Sequence, residues 1–237
     1  PQLLTTKTGF ITEAINRAGI TTTKNNSILR DLAGEIEWSK VLGFAPDEYQ
    51  RASDDYSRRI ISGGQRVNSG DIAKVYEAYE SLKRQERAID FEDVLLLTVG
   101  MLEEDRDVRE RVRDQYRYFT VDEYQDVSPL QQRLLNLWLG NRDDICVVGD
   151  AAQTIYSFAG ASSSFLLGFT KRFPKAQVIR LSRGYRSTPE IIGTANAILR
   201  QGGMIGEHGH ELASMNEHGA KPEIAKFDSN AGEANYI

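Results

Sequence analysis

The sequence predicts an α/β fold: a parallel sheet with flanking helices, joined to an all-helical segment. Two observations carry that expectation. Apolar residues recur at helical spacing through about residue 88, and after residue 89 short β-rich runs alternate with helix-forming stretches. In FITEAINRAGI, Phe10, Ile11, Ala14, Ile15 and Ala18 share one helical face, and Gly19 supplies a stop. ILRDLAGEIEWSKVLGF continues the pattern through Ile28, Leu32, Ile36 and Val41. DIAKVYEAYESLKRQERAI sets Ile72, Val75, Tyr76, Tyr79 and Leu82 on one side and charges opposite. Between these helices, SGGQRVNSG (62–70) is glycine-rich but has no lysine and no G-x-x-x-x-G-K-[ST] spacing, so it reads as a connector.

Beyond residue 89, DFEDVLLLTVGMLEE reads as a helix, and the Arg-rich run 106–117, alternating with acids, as a solvated helix face. YRYFTVDE, ICVVGD and VIRLS read as three strands, each bounded by turn or helix-start residues. Two helix starts are marked. Ser128 is placed to cap, with Pro129 at the first helical position and Gln131 completing a capping box, and Thr188 with Pro189 opens the second. From about Gly202 the chain turns glycine-rich and polar, as a linker does.

At 237 residues the chain is long enough for a sizeable core, in one or two domains. No apolar run approaches the roughly 18 residues of a membrane span, and Thr5, Thr6, Lys7 and Thr8 interrupt any signal-peptide pattern. The single cysteine, Cys146, has no partner within the chain, which fits a reduced, cytoplasmic setting. Net charge is −5 and uneven: residues 1–88 carry +1, residues 89–237 carry −6. This argues against a protein that coats polyanions indiscriminately and does not exclude nucleic acid, whose binding depends on a local basic track.

FTVDEYQDVSP (119–129) sets Asp122 and Glu123 directly after an apolar strand, where ligands bind in open α/β sheets. One carboxylate there suits Mg²⁺, a hard cation that takes oxygen ligands, and a second can polarise an attacking water. A surface acidic pair at a strand end is the competing reading. VVGDAAQTIYSFAGA (147–161) adds Gln153, three residues past Asp150, and LSRGYRSTPEII (181–192) adds Tyr185 and Arg186 before a helix. A glutamine can orient water or sense a terminal phosphate, an arginine can neutralise charge in phosphoryl transfer, and a tyrosine can stack on a base. For Tyr156 and Phe158 the competing reading is ordinary core packing. Asp126 either supports the site or favours the turn before Ser128. His208, His210 and His218 complete no known metal-ligand spacing.

In order and spacing, DFEDVLLL, VDEYQDVSP, VVGDAAQTIYSFAGA and LSRGYRSTPEI resemble the motifs of superfamily 1A DNA helicases of the UvrD/Rep/PcrA type, over about residues 89–200. The Q-T-I-Y-S-F loop and the EIEWSK helix resemble the actinobacterial second UvrD-like branch. The resemblance implies a partial RecA-like (P-loop NTPase) sheet, with 1–88 as the helical 1B-like insertion, 89–203 as the carboxyl-terminal half of the first RecA-like domain (1A), and 204–237 as a linker and the start of the second. It implies ATP and Mg²⁺ as cofactors, with Asp122 on the metal and Glu123 activating water. Gln153 would sense the γ-phosphate, Tyr185 stack on adenine and Arg186 act as an arginine finger in cis. Tyr156 and Phe158 would lie along single-stranded DNA; phenylalanine stands where many relatives have tryptophan, and Ser157 and Ala159 replace common arginines.

The family's phosphate-binding loop has no counterpart in the 237 residues. The expectation is an internal piece of an ATP-dependent helicase that moves 3′ to 5′ on single strands and opens single-strand/duplex junctions in DNA repair or recombination, inactive by itself. The alternatives are a helicase–nuclease subunit, or a non-catalytic DNA- or protein-binding module derived from a helicase.

Overall fold

The computed structural model describes residues 1–20, 26–59, 61–62, 65–205 and 210–236. They fall into two compact units, Pro1–Arg172 and Phe173–Ile237.

The first unit opens with β1 (Gln2–Leu3), then α1 (Thr8–Arg17), α2 (Asn26–Leu42) and α3 (Tyr49–Asp55). A short antiparallel pair follows, β2 (Ile61–Ser62) with β3 (Gln65–Arg66), then α4 (Ser69–Glu86) and β4 (Ala88–Ile89), which pairs in parallel with β1. The periodicity read from the sequence holds in three dimensions. Ile11, Ala14 and Ile15 of α1, Ile28, Leu32 and Ile36 of α2, and Ile72, Val75, Tyr76, Tyr79 and Leu82 of α4 form one buried cluster. Gly19 ends the α1 turn at φ +67°. The connector at 62–70 contains part of the β2–β3 pair; its Gly63 and Gly64 lie outside the described residues. Helix α3 was not singled out in the sequence, and its Tyr49 and Ala52 join the same core.

The remainder of this unit is α5 (Phe91–Glu104), α6 (Arg106–Gln115), β5 (Phe119–Val121), a 3₁₀ turn at Tyr124–Asp126, α7 (Pro129–Leu139) and β6 (Ile145–Val147). Two more 3₁₀ turns, Ala151–Gln153 and Ser157–Ala159, precede the short helices α8 (Ser164–Leu167) and α9 (Phe169–Arg172). Helix α6 buries none of its residues, as its alternating charges predict. Ser128 and Gln131 form the expected capping box on α7, with Pro129 in the first turn. Strands β5 and β6 are parallel, Phe119 opposite Ile145 and Val121 opposite Val147, with α7 as the crossover. Phe119 stacks on Trp138 of α7 at 6.1 Å and 10°. Arg142 donates to the carbonyls of Trp138 (2.8 Å) and Leu139 (3.0 Å) at the end of α7, and to Tyr116 (3.0 Å) just before β5.

The second unit contains β7 (Arg183–Gly184), α10 (Pro189–Gln201), β8 (Ala213–Ser214) and α11 (Asn230–Tyr236), with β7 and β8 parallel. Thr188 occupies the cap position of α10 without a side-chain cap hydrogen bond. The expected strand VIRLS is not one: only Arg183–Gly184 pairs, and Val178, Ile179 and Leu181 are 59%, 81% and 75% exposed. A strand needs a neighbour for its N–H and C=O groups, and no described residue pairs with 178–181 in a ladder; only the Ser182 carbonyl, beside β7, accepts the Ala213 N–H (2.8 Å). The architecture is therefore a helix-rich α/β fold with small two-stranded sheets. No helix among the described residues is long and apolar enough to cross a membrane.

A buried ionic cluster joins α2, α4 and α5. Asp90 caps α5 and forms a capping box with Asp93. Its carboxylate, fully buried, also accepts from Lys40 (2.7 and 2.9 Å), Lys83 (2.9 Å) and Tyr79 Oη (2.9 Å). Burial alone would push the Asp90 carboxyl up, but the Lys40 and Lys83 ammoniums hold it well below the ordinary carboxylate range. Asp90→Ala removes the α5 cap and the one fully buried acceptor shared by both ammoniums, leaving them Glu80 and Asp93, and urea unfolding should record a loss of about 2–5 kcal/mol. Since the native carboxyl is held low, its contribution is present above the unfolded carboxylate value of about 4 and is lost as pH falls below it. Melts from neutral pH to about pH 3 should show a plateau and then a decline that Asp90→Asn makes shallower.

Candidate active site

The expected Mg²⁺ ligand and base sit at the carboxyl end of β5. Asp122 and Glu123 are both exposed there. Asp122 Oδ1 accepts from the Glu123 N–H at 2.9 Å. Glu123 takes φ +50°, ψ +41°, left-handed backbone that costs a non-glycine residue roughly 1–2 kcal/mol. The next residues hold it in place. The Tyr124 N–H donates to the Val148 carbonyl (2.9 Å), and Tyr124 Oη to Gln132 of α7 (2.6 Å).

Gln125 is the buried centre of the site, 1% exposed. Its amide donates to Glu123 Oε2 at 2.7 Å, and its carbonyl oxygen accepts the Asp150 N–H at 3.0 Å. Asp150 in turn accepts from the Ala152 N–H and from Gln153 Nε2, each at 3.0 Å. Glu123, Gln125, Asp150 and Gln153 thus form one chain of hydrogen bonds across the ends of the two parallel strands. Close approach demands a glycine beside it: a Cβ on Gly149 would lie 2.7 Å from Gln125 Oε1 and 3.2 Å from the Tyr124 nitrogen. The sequence reading named the two ends of this chain and missed Gln125. A glutamine between acidic residues carries no pattern that announces burial.

Asp122 supplies an exposed hard oxygen at a strand end, and Asp126 Oδ1 is buried with no hydrogen-bond partner. Asp122 is an oxygen donor of the kind a divalent cation takes. Among the described residues, three carboxylates close enough to share a cation are Glu80, Asp90 and Asp93, and the Lys40 and Lys83 ammoniums already occupy the space between them.

Tyr156 and Phe158 follow on the next 3₁₀ turn. Their rings are 51% and 66% exposed, 6.2 Å apart and tilted by 47°, which excludes core packing. Tyr185 and Arg186 lie in the second unit, between β7 and α10. Tyr185 is 70% exposed, and its carbonyl accepts from Asn216 Nδ2 (3.1 Å). In the same unit, the Gly219 N–H and then His218 hold the Glu190 carboxyl down at about 2. His210 contacts the Leu181 carbonyl, so His210 and His218 have separate partners; His208 lies outside the described residues.

The UvrD/REP helicase N-terminal domain matches residues 5–174. The chain belongs to the UvrD/Rep family of superfamily 1A helicases. It is 42% identical to the ATP-dependent DNA helicase UvrD2 of Mycobacterium tuberculosis (strain H37Rv), over 98% of this chain and 33% of that protein. It is 30% identical to the ATP-dependent DNA helicase PcrA of Leuconostoc citreum, over 88% and 26%, and 30% identical to PcrA of Staphylococcus aureus (strain NCTC 8325), over 81% and 24%. The chain therefore spans about a third or less of the length of these UvrD-family relatives.

Gln125→Ala removes an acceptor from Asp150 and a donor from Glu123, and denaturant unfolding should show a loss of about 1–3 kcal/mol. Gln125→Glu keeps the acceptor but sets a second carboxylate against Glu123. Its deficit should therefore shrink as the pH falls toward about 4, where one of the pair takes a proton.

Proposed function

We propose that this UvrD-family chain carries the water-activating half of an ATP site together with a single-strand-binding loop, as part of an ATP-dependent DNA helicase. The observation that carries the reading is the hydrogen-bonded chain Glu123–Gln125–Asp150–Gln153, which runs straight into the turn bearing Tyr156 and Phe158. Its place at the ends of two parallel strands joined by a helix supports a RecA-like sheet.

Asp122 would hold Mg²⁺, and the metal would supply charge neutralisation for phosphoryl transfer. Glu123 accepts the proton of the attacking water, its carboxylate held in place by the Gln125 amide. Gln153, tied to Asp150, reports the presence of the terminal phosphate to the following turn. Tyr185 offers its exposed ring to adenine, and Arg186 supplies positive charge to the γ-phosphate. Tyr156 and Phe158 stack on bases of a single strand, a contact that tolerates any sequence.

Residues 1–88 would be the helical 1B-like insertion, 89–203 half of the first RecA-like domain, and 204–237 the passage to the second. The printed activity of the relatives, ATP-dependent DNA helicase, supports the same role here. With it go 3′ to 5′ movement, work at single-strand/duplex junctions, service in DNA repair or recombination, and a cytoplasmic location.

The test is DNA-stimulated ATP hydrolysis by the protein expressed from its complete reading frame. Glu123→Gln should lower kcat by about 10²–10⁴, the contribution of a positioned general base, with nucleotide binding retained. Gln153→Ala should uncouple hydrolysis from DNA, leaving a basal rate that single strands no longer raise. The 237 residues alone contain no G-x-x-x-x-G-K-[ST] loop and should show negligible turnover. Turnover by that chain, abolished by Glu123→Gln, would overturn the half-site reading.

A further inference from the structure

The aromatic loop is held at its far end by the helical layer, through a residue that belongs to no motif. Helix α3 ends with Ser57 in left-handed backbone (φ +52°), and the Arg58 N–H returns to the Ser53 carbonyl at 2.8 Å. That turn is a Schellman-type stop, and it sends the Arg58 side chain back across α2. The guanidinium lies 4.4 Å over the Trp38 ring. Arg58 Nε donates to both oxygens of Glu35 (3.0 and 2.9 Å), and Nη2 donates to the same carboxylate. Tyr49 Oη donates to Glu35 Oε2 at 2.8 Å, so the acceptor is itself fixed. The remaining direction, Nη1, reaches the Phe158 carbonyl at 3.0 Å.

A second contact presses the same turn onto α2. Gly160 sits at φ +95°, and a Cβ there would lie 2.7 Å from Val41 Cγ2. The backbone of 158–160 is therefore clamped against the helix, while the Tyr156 and Phe158 rings stay exposed.

We propose that Arg58 is a positioning residue for single-strand binding: it fixes the Phe158 carbonyl so that the Tyr156 and Phe158 rings are presented to bases in a set arrangement. This rests on the reading of those two rings as strand contacts. Arg58 does not itself meet phosphate. Its charge is matched by Glu35, its face is covered by Trp38, and the side chain is only 19% exposed. A loop held in its binding geometry loses less conformational freedom on binding, and that saving appears as affinity.

The experiment is fluorescence titration of a labelled oligothymidylate with the protein from its complete reading frame, at several salt concentrations. Arg58→Ala should weaken binding by roughly 5- to 20-fold, about one hydrogen bond's worth. The slope of log affinity against log salt should be unchanged, because no phosphate contact is lost. In a Phe158→Ala background, Arg58→Ala should cost less than in the unsubstituted protein, since only the Tyr156 ring is left for it to place. Arg58→Lys keeps the charge over Trp38 and is the milder variant should Arg58→Ala fold poorly. It cannot span Glu35 and the Phe158 carbonyl together, so it should weaken binding almost as much.

A slope reduced by about 0.7, with full rescue by Arg58→Lys, would make Arg58 a phosphate contact and overturn the proposal. So would losses that simply add. If Phe158→Ala weakens binding and neither Arg58 variant does, the anchor alone falls. If Phe158→Ala leaves binding unchanged, the strand-contact reading falls, and the anchor with it.

Discussion

Three helices depend on one buried carboxylate. Asp90 caps α5, and the same two oxygens receive Lys40 from α2 and Lys83 and Tyr79 from α4. Apolar packing alone would tolerate small slides of these helices, since burial is non-directional. Two ammoniums in a buried space tolerate less, because each is held at once by Asp90, Asp93 and Glu80 in directions set by hydrogen bonds. Helix α5 then packs on α7 through Val99, Leu102, Leu130 and Leu134. The start of α7 fixes the turn carrying Glu123, through Ser128 and Gln132. The position of the expected base is thus inherited, step by step, from an ionic cluster well removed in sequence.

Glu123 shows the cost of that placement. Its left-handed backbone is unfavourable for a side chain with a Cβ, and such strain persists only where neighbours overdetermine it. Here they do. The Tyr124 N–H is committed to β6, the Gln125 amide to Glu123 itself, and the Gln125 oxygen to Asp150. Relaxing Glu123 would strain both links to the segment just past β6, at Val148 and at Asp150. Gly149 belongs to the same constraint, because any larger residue there would displace Gln125.

Much of this was legible before any coordinates. Ile11, Ile36 and Tyr79 declared their burial by period, and Ser128 with Gln131 declared a helix start by chemistry, because both signals are local. What escaped was non-local. VIRLS has strand composition, but composition supplies no hydrogen-bonding neighbour, and its apolar residues stay exposed. Gln125 reads as one more polar residue in an acidic run until the fold sets β6 beside it. Arg58 reads as a surface charge in SRR until α3 stops and turns it over Trp38. Asp90 begins the quoted DFEDVLLL stretch, yet nothing in that stretch names Lys40, fifty residues earlier, as its partner.

The loop from Asp150 to Gly160 is held at both ends and open between. At one end Asp150 is bound through Gln125 to the residue expected to activate water. At the other, the Phe158 carbonyl is bound to Arg58 and Gly160 lies on Val41. The intervening residues are two single turns of 3₁₀ helix with Ile155, Tyr156 and Phe158 exposed. A ligand shifts such a segment only by binding two arrangements of it unequally. A phosphate engaging Gln153 would compete with Asp150 for the same amide and so differ in free energy between the bound and released loop. With Arg58 as the proposed fixed end, that difference would be expressed as a change in how the two rings are presented. If the proposed site is right, this loop would supply what coupling between nucleotide and strand needs: a bond that the phosphate would perturb, at Asp150, and an anchor, at Arg58, remote from it.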